Sequence, residues 1–365
     1  MSFHQDLNNL TRDMHDASWE VEYMHKNPVV GLMLERKKLQ FSGGKRYYRE
    51  VDTGTHEDLA QDYTVNENLT HGVKDTTEVV KFRKKRFQFP IQIDVDEEEE
   101  NAKQTSDGTQ LHSLAKFRVK KANEGCRLHI RKLMYRRVGH ALGATDSNKY
   151  MQGLNNALTV DHTYGEVTRT YSAGTSADVG FWFQPMGGTY STTTQSTTNY
   201  TISIPWLRSV LEPLEDLETD NLDLITIVGG TLWLALIQEA EARGTQYKIV
   251  PDRINKRGGK TVQGYHEMIL DGRRIVKDPF LSTKYNSSMG TTTGATGSLD
   301  RRLYCLNLND WDMFIHPNKN FAMTDFFDQS KIAGAADFEL ARIKFAGNLV
   351  CWHPNRQLMF ENVTP

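Results

Sequence analysis

The run TQLHSLAKFRVKKANEGCRLHIRKLMYRRVGHA, residues 109–141, has the period of one long amphipathic helix. Leu111, Leu114, Phe117, Ala122, Cys126, Ile130, Leu133, Val138 and Ala141 recur every three to five residues and form its apolar stripe. Between them stand Lys116, Arg118, Lys120, Lys121, Arg127, Arg131, Lys132, Arg136 and Arg137, with Glu124 as the single acid, so the segment carries +8. At 1.5 Å per residue such a helix spans roughly 50 Å, more than a core helix needs. Gly125 is a weak point where a bend is expected. Thr105-Ser106-Asp107-Gly108 supplies capping residues before the helix, and Gly143 is a natural stop after it.

The whole chain has 365 residues and a net charge of −2, so the basic helix is a local concentration of charge. Charged residues make up 25% and hydrophobic ones 38%, the composition of a folded and rather polar protein. No run approaches the roughly 20 apolar residues of a membrane span, and Met1 to Asn9 lacks the apolar core of a signal peptide. Cys126, Cys305 and Cys351 lie far apart, which argues against a disulfide framework and for a reducing compartment.

Upstream of the helix, residues 1–28 read as a polar arm. Residues 31–95 turn to strand: Leu32 and Leu34, then Val79, Phe87, Phe89, Ile91, Ile93 and Val95, alternate with polar neighbours. A polar span from Asp52 to Asp75 separates the two parts, so a protruding two-stranded loop is expected, flanked by Arg36, Lys37 and Lys38 on one side and by Lys81, Arg83, Lys84, Lys85 and Arg86 on the other. An isolated hairpin is marginal in water, so this one must lie against something else. The acidic run Glu97, Glu98, Glu99 and Glu100 follows. Downstream, helices are expected from Trp206 to Leu217 and from Thr231 to Ala242, with Gly244 as a stop. A strand is expected from Leu222 to Val228, a hairpin over 265–277 turned at Asp271-Gly272, and late strands at 303–308, 340–352 and 357–360. Strands and helices are segregated, the pattern of an α+β chain.

Chemistry is hard to find in this sequence. There is no HExxH, no Cys/His set at zinc spacing, no phosphate-cradling glycine loop and no nucleophile elbow. His316-Pro317-Asn318 and His353-Pro354-Asn355 read as turns, and the cysteines read as buried apolar residues. The expectation is a protein that is not an enzyme, with no catalytic residue, cofactor or metal. The basic helix leaves three readings open: attraction to nucleic acid, attraction to an acidic neighbouring subunit, or a solvated face.

The order of elements, together with several local sequences, resembles the major capsid proteins of tailed double-stranded DNA bacteriophages with the HK97-type fold. Gly153-Leu154-Asn155-Asn156-Ala157-Leu158 resembles that family's segment after the long helix. Asp223-Leu224-Ile225 followed by Thr231-Leu232-Trp233 resembles its strand-to-helix step, and Asp271 to Pro279 its hairpin ending in Asp-Pro. Tyr304-Cys305-Leu306-Asn307 and Gly347-Asn348-Leu349-Val350 resemble its late strands.

The resemblance implies an HK97-like capsid fold divided into an N-terminal arm (1–28), an extended two-stranded loop (29–95), a peripheral domain with the spine helix (96–159), an axial domain (160–335) and strands returning to the peripheral domain (336–365). Copies of the chain would form pentamers and hexamers of an icosahedral shell around duplex DNA, in a virion assembled in the host cytoplasm. On this reading Arg36, Lys37, Lys38, Lys81, Arg83, Lys84, Lys85 and Arg86 make inter-subunit contacts of the loop, with Glu97 to Glu100 as acidic partners. Leu111, Leu114, Phe117, Ile130 and Leu133 pack the spine, while Lys120, Lys121, Arg127 and Arg131 face the lumen or DNA. The short arm implies a separate scaffolding protein; a portal and a decoration protein are further expected partners, and no membrane is involved. An encapsulin-like compartment shell and a non-specific DNA-binding protein are the alternatives.

Overall fold

The protein's structure, a computed structural model, describes residues 28–39, 44, 46–52, 77–94, 109–136, 150–158, 163–168, 200–215, 222–244, 247–250, 255–257, 260–262, 267–270, 272–285, 298–328 and 338–365. Helix α1 (Pro28–Glu35) leads into β1 (Lys37–Leu39), β2 (Arg46–Asp52), β3 (Thr77–Arg83) and β4 (Lys85–Asp94). The long helix α2 (Thr109–Tyr135) and the short α3 (Leu154–Leu158) follow, then β5 (Thr163–Tyr164), β6 (Val167–Thr168) and β7 (Tyr200–Thr201). Next come α4 (Ile204–Glu215), β8 (Leu224–Val228) and α5 (Gly230–Arg243). Short strands continue as β9 (Tyr247–Val250), β10 (Asn255–Arg257), β11 (Lys260–Val262), β12 (Glu267–Leu270) and β13 (Arg273–Lys277). The chain ends with β14 (Leu303–Asn307), β15 (Trp311–Met323), β16 (Phe327–Asp328), β17 (Phe338–Cys351), β18 (Leu358–Phe360) and β19 (Val363–Thr364).

Two sheets organise these elements. In the first, β15 and β17 pair antiparallel, β1 runs parallel beside β15, and β4 lines the other side of β17 from Lys85↔Gly347 to Asp94↔Phe338. Ile91 and Ile93 of β4 are buried while Gln92 and Asp94 are exposed, the alternation of a half-buried strand. Pro90 is tolerated because β4 is an edge strand that pairs only with β17. The second sheet has six strands in the order β18-β14-β8-β13-β12-β9, with β8 and β13 parallel. Its two faces are both covered. Leu303 and Cys305 pack with α4 and α5, and the intervening Tyr304 and Leu306 join the larger core shared with the first sheet.

Helix α2 lies on β4 and differs from the sequence reading in three ways. It ends at Tyr135, so it spans about 40 Å and not 50. Residues 137–149, including the expected stop at Gly143, lie outside the described residues. It also runs unbroken through Gly125, where a Cβ would come within 3.3 Å of the Phe89 ring. That glycine permits close approach of β4 and is no bend. Third, the buried stripe is Val119, Asn123, Cys126, Ile130 and Leu133, and Phe117 is 57% exposed. Nine residues at about 100° each place Phe117 opposite Cys126, whereas Val119 falls within about 20° of it.

Two further expectations are corrected. Residues 28–35 form a helix and not a strand, with Val29, Val30, Leu32 and Met33 all buried. A short run of apolar residues buried all round carries no period to distinguish the two. The loop is also smaller than 29–95, because β1 and β4 belong to the first sheet; only β2 and β3 form the two-stranded hairpin, with Asp52 opposite Thr77. The helices and strands expected near 206–217, 222–228, 231–242, 265–277, 303–308, 340–352 and 357–360 are found with ends shifted by a few residues.

Gly153 sits against the end of α2, where a Cβ would overlap the carbonyl oxygens of Leu133 and Met134. Gly153→Ala is therefore expected to lower stability by about 3 kcal/mol, read as a fall in the thermal midpoint of the purified protein. An unchanged midpoint would show that this approach is not tight.

Candidate functional site

The end of α2 is the centre of a buried polar hub. The last carbonyls of a helix have no partner within it. Here the Tyr135 carbonyl accepts from Asn155 Nδ2 at 2.8 Å and from Arg302 Nη1 at 3.4 Å. The Tyr135 hydroxyl donates to Asp278 Oδ2 at 2.6 Å, and Asp278 Oδ1 accepts from the Phe280 amide at 2.8 Å. Tyr304 donates to Asn155 Oδ1 at 2.8 Å, and Arg302, fully buried, lies 3.3 Å from Glu361. Burial holds the Asp278 carboxyl above its ordinary range, offset in part by the positive charge of Arg131 and by hydrogen bonds from Tyr135 and Phe280. Burial, and then the neighbouring Asp278, push the Tyr135 hydroxyl well up, so it stays a donor. Three segments singled out by resemblance, at 153–158, 271–279 and 304–307, meet here. Tyr135, Arg302 and Glu361 were not anticipated: no period or motif marks them, since their roles depend on the segments they join.

One face of the hairpin β2–β3 packs into the larger core through Tyr47, Val51, Val80 and Phe82. Tyr47 stacks on Phe314 at 4.4 Å, and Phe82 packs edge-on against Tyr164 and Trp352. The turn Gly165-Glu166 between β5 and β6 has both residues at positive φ, 60° and 67°. Glu166 adopts this costly conformation while taking Arg83 at 2.8 Å and Arg46 at 3.3 Å. The hydrogen bond from Arg83, outweighing its slight desolvation, holds the Glu166 carboxyl below its ordinary value. On the outward face, Tyr48 is 61% and Val79 41% exposed.

The expected contact residues divide accordingly. Arg36 is bound within its own chain, to Asp223 at 2.5 Å and Asn309 at 2.7 Å, and Arg83 is bound to Glu166. Lys85 is buried, and its ammonium is pushed down to about 8, first by burial and then by Arg83, with Glu166 opposing. Within the single chain, then, Arg36 and Arg83 are ion-paired and Lys85 is buried. Lys81 is half-buried with its amide bonded to the Gly165 carbonyl at 2.8 Å, whereas Arg86 is exposed. Lys37 and Lys38 pair along β1, and Leu111 and Leu114 lie on α2, but their side chains, like Glu97 to Glu100, fall outside the described residues.

Ile130 and Leu133 of the spine are buried. Lys120 and Lys121 are exposed, the latter 3.0 Å from Glu124. Arg127 is 5% exposed, and the charge of Arg131 acts on the buried Asp278. A cleft of about 550 Å³ opens beside α2, lined by Lys84, Lys85, Arg86, His129, Leu133 and Tyr150. Burial, and then Lys132, hold His129 below the ordinary imidazole value. Among the described residues no cluster of three or more His, Cys, Asp or Glu could hold a metal, and no helix is long and apolar enough to cross a membrane.

A solved structure with the same arrangement is the cyanophage A-1(L) capsid asymmetric unit, with a TM-score of 0.60 and 15% identity over 94% of each chain. The fold is that of a phage capsid chain. Gordonia phage Cozz also matches, with a TM-score of 0.44 and 10% identity over 92% of this chain and 86% of that one. So does the holo-SrpI encapsulin of Synechococcus elongatus PCC 7942, at 0.43 and 9% over 90% and 86%. No protein-family model and no curated protein matches the sequence.

The hub carries a pH signature. Because folding raises the Asp278 pKa above its ordinary 3.8, the folded state holds the proton more tightly than the unfolded chain. The stability from this group is full below about pH 4 and is lost as pH rises through the folded pKa. In urea unfolding, the stability of wild type minus Asp278→Asn should be largest near pH 4 and shrink as the pH rises above it. A difference that grows with pH would contradict this account.

Proposed function

We propose that this chain is the major capsid protein of a tailed double-stranded DNA phage, a subunit that assembles with its own copies into pentamers and hexamers of an icosahedral shell. The observation that carries the reading is the match to the cyanophage capsid chain along 94% of both chains. The first sheet with α2 acts as the peripheral domain, and the six-stranded sheet with α4 and α5 as the axial domain. The hairpin β2–β3, with Tyr48 and Val79 exposed on its outer face, is the part that reaches a neighbouring subunit. Shell formation by this route is physical: many weak contacts, each repeated by symmetry, sum over a closed lattice. Duplex DNA would be held inside without sequence preference, through positive side chains such as Lys120 and Lys121.

Electron microscopy of the purified protein should show closed icosahedral particles, and native particles should protect DNA of defined length from nuclease. Particles that instead hold a co-purifying protein would assign the chain to a compartment shell. A small soluble oligomer that binds duplex DNA with a steep salt dependence would overturn the shell altogether. Replacing residues 53–76 by an Asn-Gly turn should leave the melting transition within about 1 kcal/mol of wild type while abolishing particles, because the anchored base of β2–β3 is retained. Intact particles from that variant would refute the role given to the hairpin.

A further inference from the structure

The ladder of the first sheet breaks at one place to make a charged patch. Ile315 pairs with Gly347 and Asn320 with Phe345, so His316 to Lys319 bulge outward opposite the single residue Ala346. Ala346 in turn pairs with Arg86 at the start of β4, and Lys84 immediately precedes that strand. Lys84, Arg86, His316 and Lys319 therefore crowd one end of the sheet. After burial, Arg86 and Lys319 hold the Lys84 ammonium below its ordinary value, and all three cations bear on His316. Among the described residues, Lys84, Arg86 and Lys319 have no acidic partner. Such a cluster repels itself until an anion covers it.

The same chain carries five consecutive acids, Asp96 to Glu100, at the opposite end of β4. Ten residues of strand separate the two ends by about 30 Å. Helix α2 returns antiparallel to β4: Arg118 bonds to the Gln92 carbonyl at 2.6 Å, and His129 lies against Phe87 and Phe89. Thr109, where α2 begins, is thus about 14 Å farther from the patch than Arg118. Asp94, the last residue of β4, and Thr109, the first of α2, therefore both lie away from the patch. Three residues of fully extended chain carry Glu97 no more than about 10 Å from Asp94, so the start of the acidic run falls well short of the 30 Å back to its own subunit's patch.

We propose that the patch formed by Lys84, Arg86, His316 and Lys319 receives the acidic run Asp96–Glu100 of a second copy of this chain. The contact is head-to-tail, since its two halves occupy opposite ends of β4, and a repeated head-to-tail contact generates rings or closed shells. It rests on the shell-forming reading and names one interaction that would drive it.

The test is a charge exchange in the full-length chain. Lys84→Glu with Arg86→Glu and Lys319→Glu should cut particle yield about tenfold in sedimentation at physiological salt, with the melting transition unchanged. Lysines at Glu97 to Glu100 should do the same. The two sets combined should restore yield to within about threefold of wild type. Normal yield from the first set, or no rescue in the combination, overturns the proposal. Shells of normal yield that lose only their packaged DNA also overturn it and give the patch to nucleic acid. If the wild-type chain forms no particles, the shell reading itself fails, and a synthetic peptide of residues 94–100 becomes the probe. Salt-sensitive binding of that peptide, lost in the triple variant, supports the contact, and absence of binding refutes it.

Discussion

The end of helix α2 imposes the constraint on which the rest depends. A helix of 27 residues that stops inside a protein leaves carbonyls that must be bonded or hydrated. Asn155 and Arg302 bond the last of them, and Gly153 allows α3 to come close enough. The Tyr135 hydroxyl then reaches Asp278, so one residue ties α2 to α3 and to the six-stranded sheet. The bonds among Tyr135, Asn155, Asp278 and Tyr304 join α2, α3 and the six-stranded sheet through groups buried from water.

The same junction explains how a helix carrying so much positive charge folds stably. Its cations do not form one face. Arg127 is buried, Arg131 bears on Asp278, and Lys120 and Lys121 remain in solvent. Arg118 bonds to the Gln92 carbonyl and so helps hold the helix to β4. Repulsion along the helix is divided among three environments and does not accumulate in one.

Around this fixed core the outward-facing parts have a different character. The hairpin β2–β3 is held at its base by stacked aromatic rings and by the Arg46–Glu166–Arg83 cluster, yet leaves Tyr48 and Val79 in water. The bulge at His316–Lys319 breaks an otherwise regular ladder and leaves cations without acids beside them.

The sequence by itself determined the segregated α+β pattern, the long helix, the later helices and strands, and the resemblance to a capsid fold. The helix and strand assignments follow from short-range periods, such as 3.6 for α2 and 2 for β4, and the resemblance from the order of elements and local sequences. It did not determine which residues of α2 face inward. Phe117 continues the apolar spacing but lies about half a turn from Cys126, an error that accumulates when spacings of three to five are chained. Nor could it show that residues 28–35 are a helix, because a run buried on all sides has no polar face to reveal its period. Only the tertiary structure showed that Arg36 and Arg83 have acidic partners in their own chain and that Lys85 and Arg127 are buried. Charge is visible in a sequence, but its partner is not: Asp223 lies 187 residues from Arg36, and Glu166 lies 83 from Arg83. Such pairings exist only once the chain has brought its distant segments together.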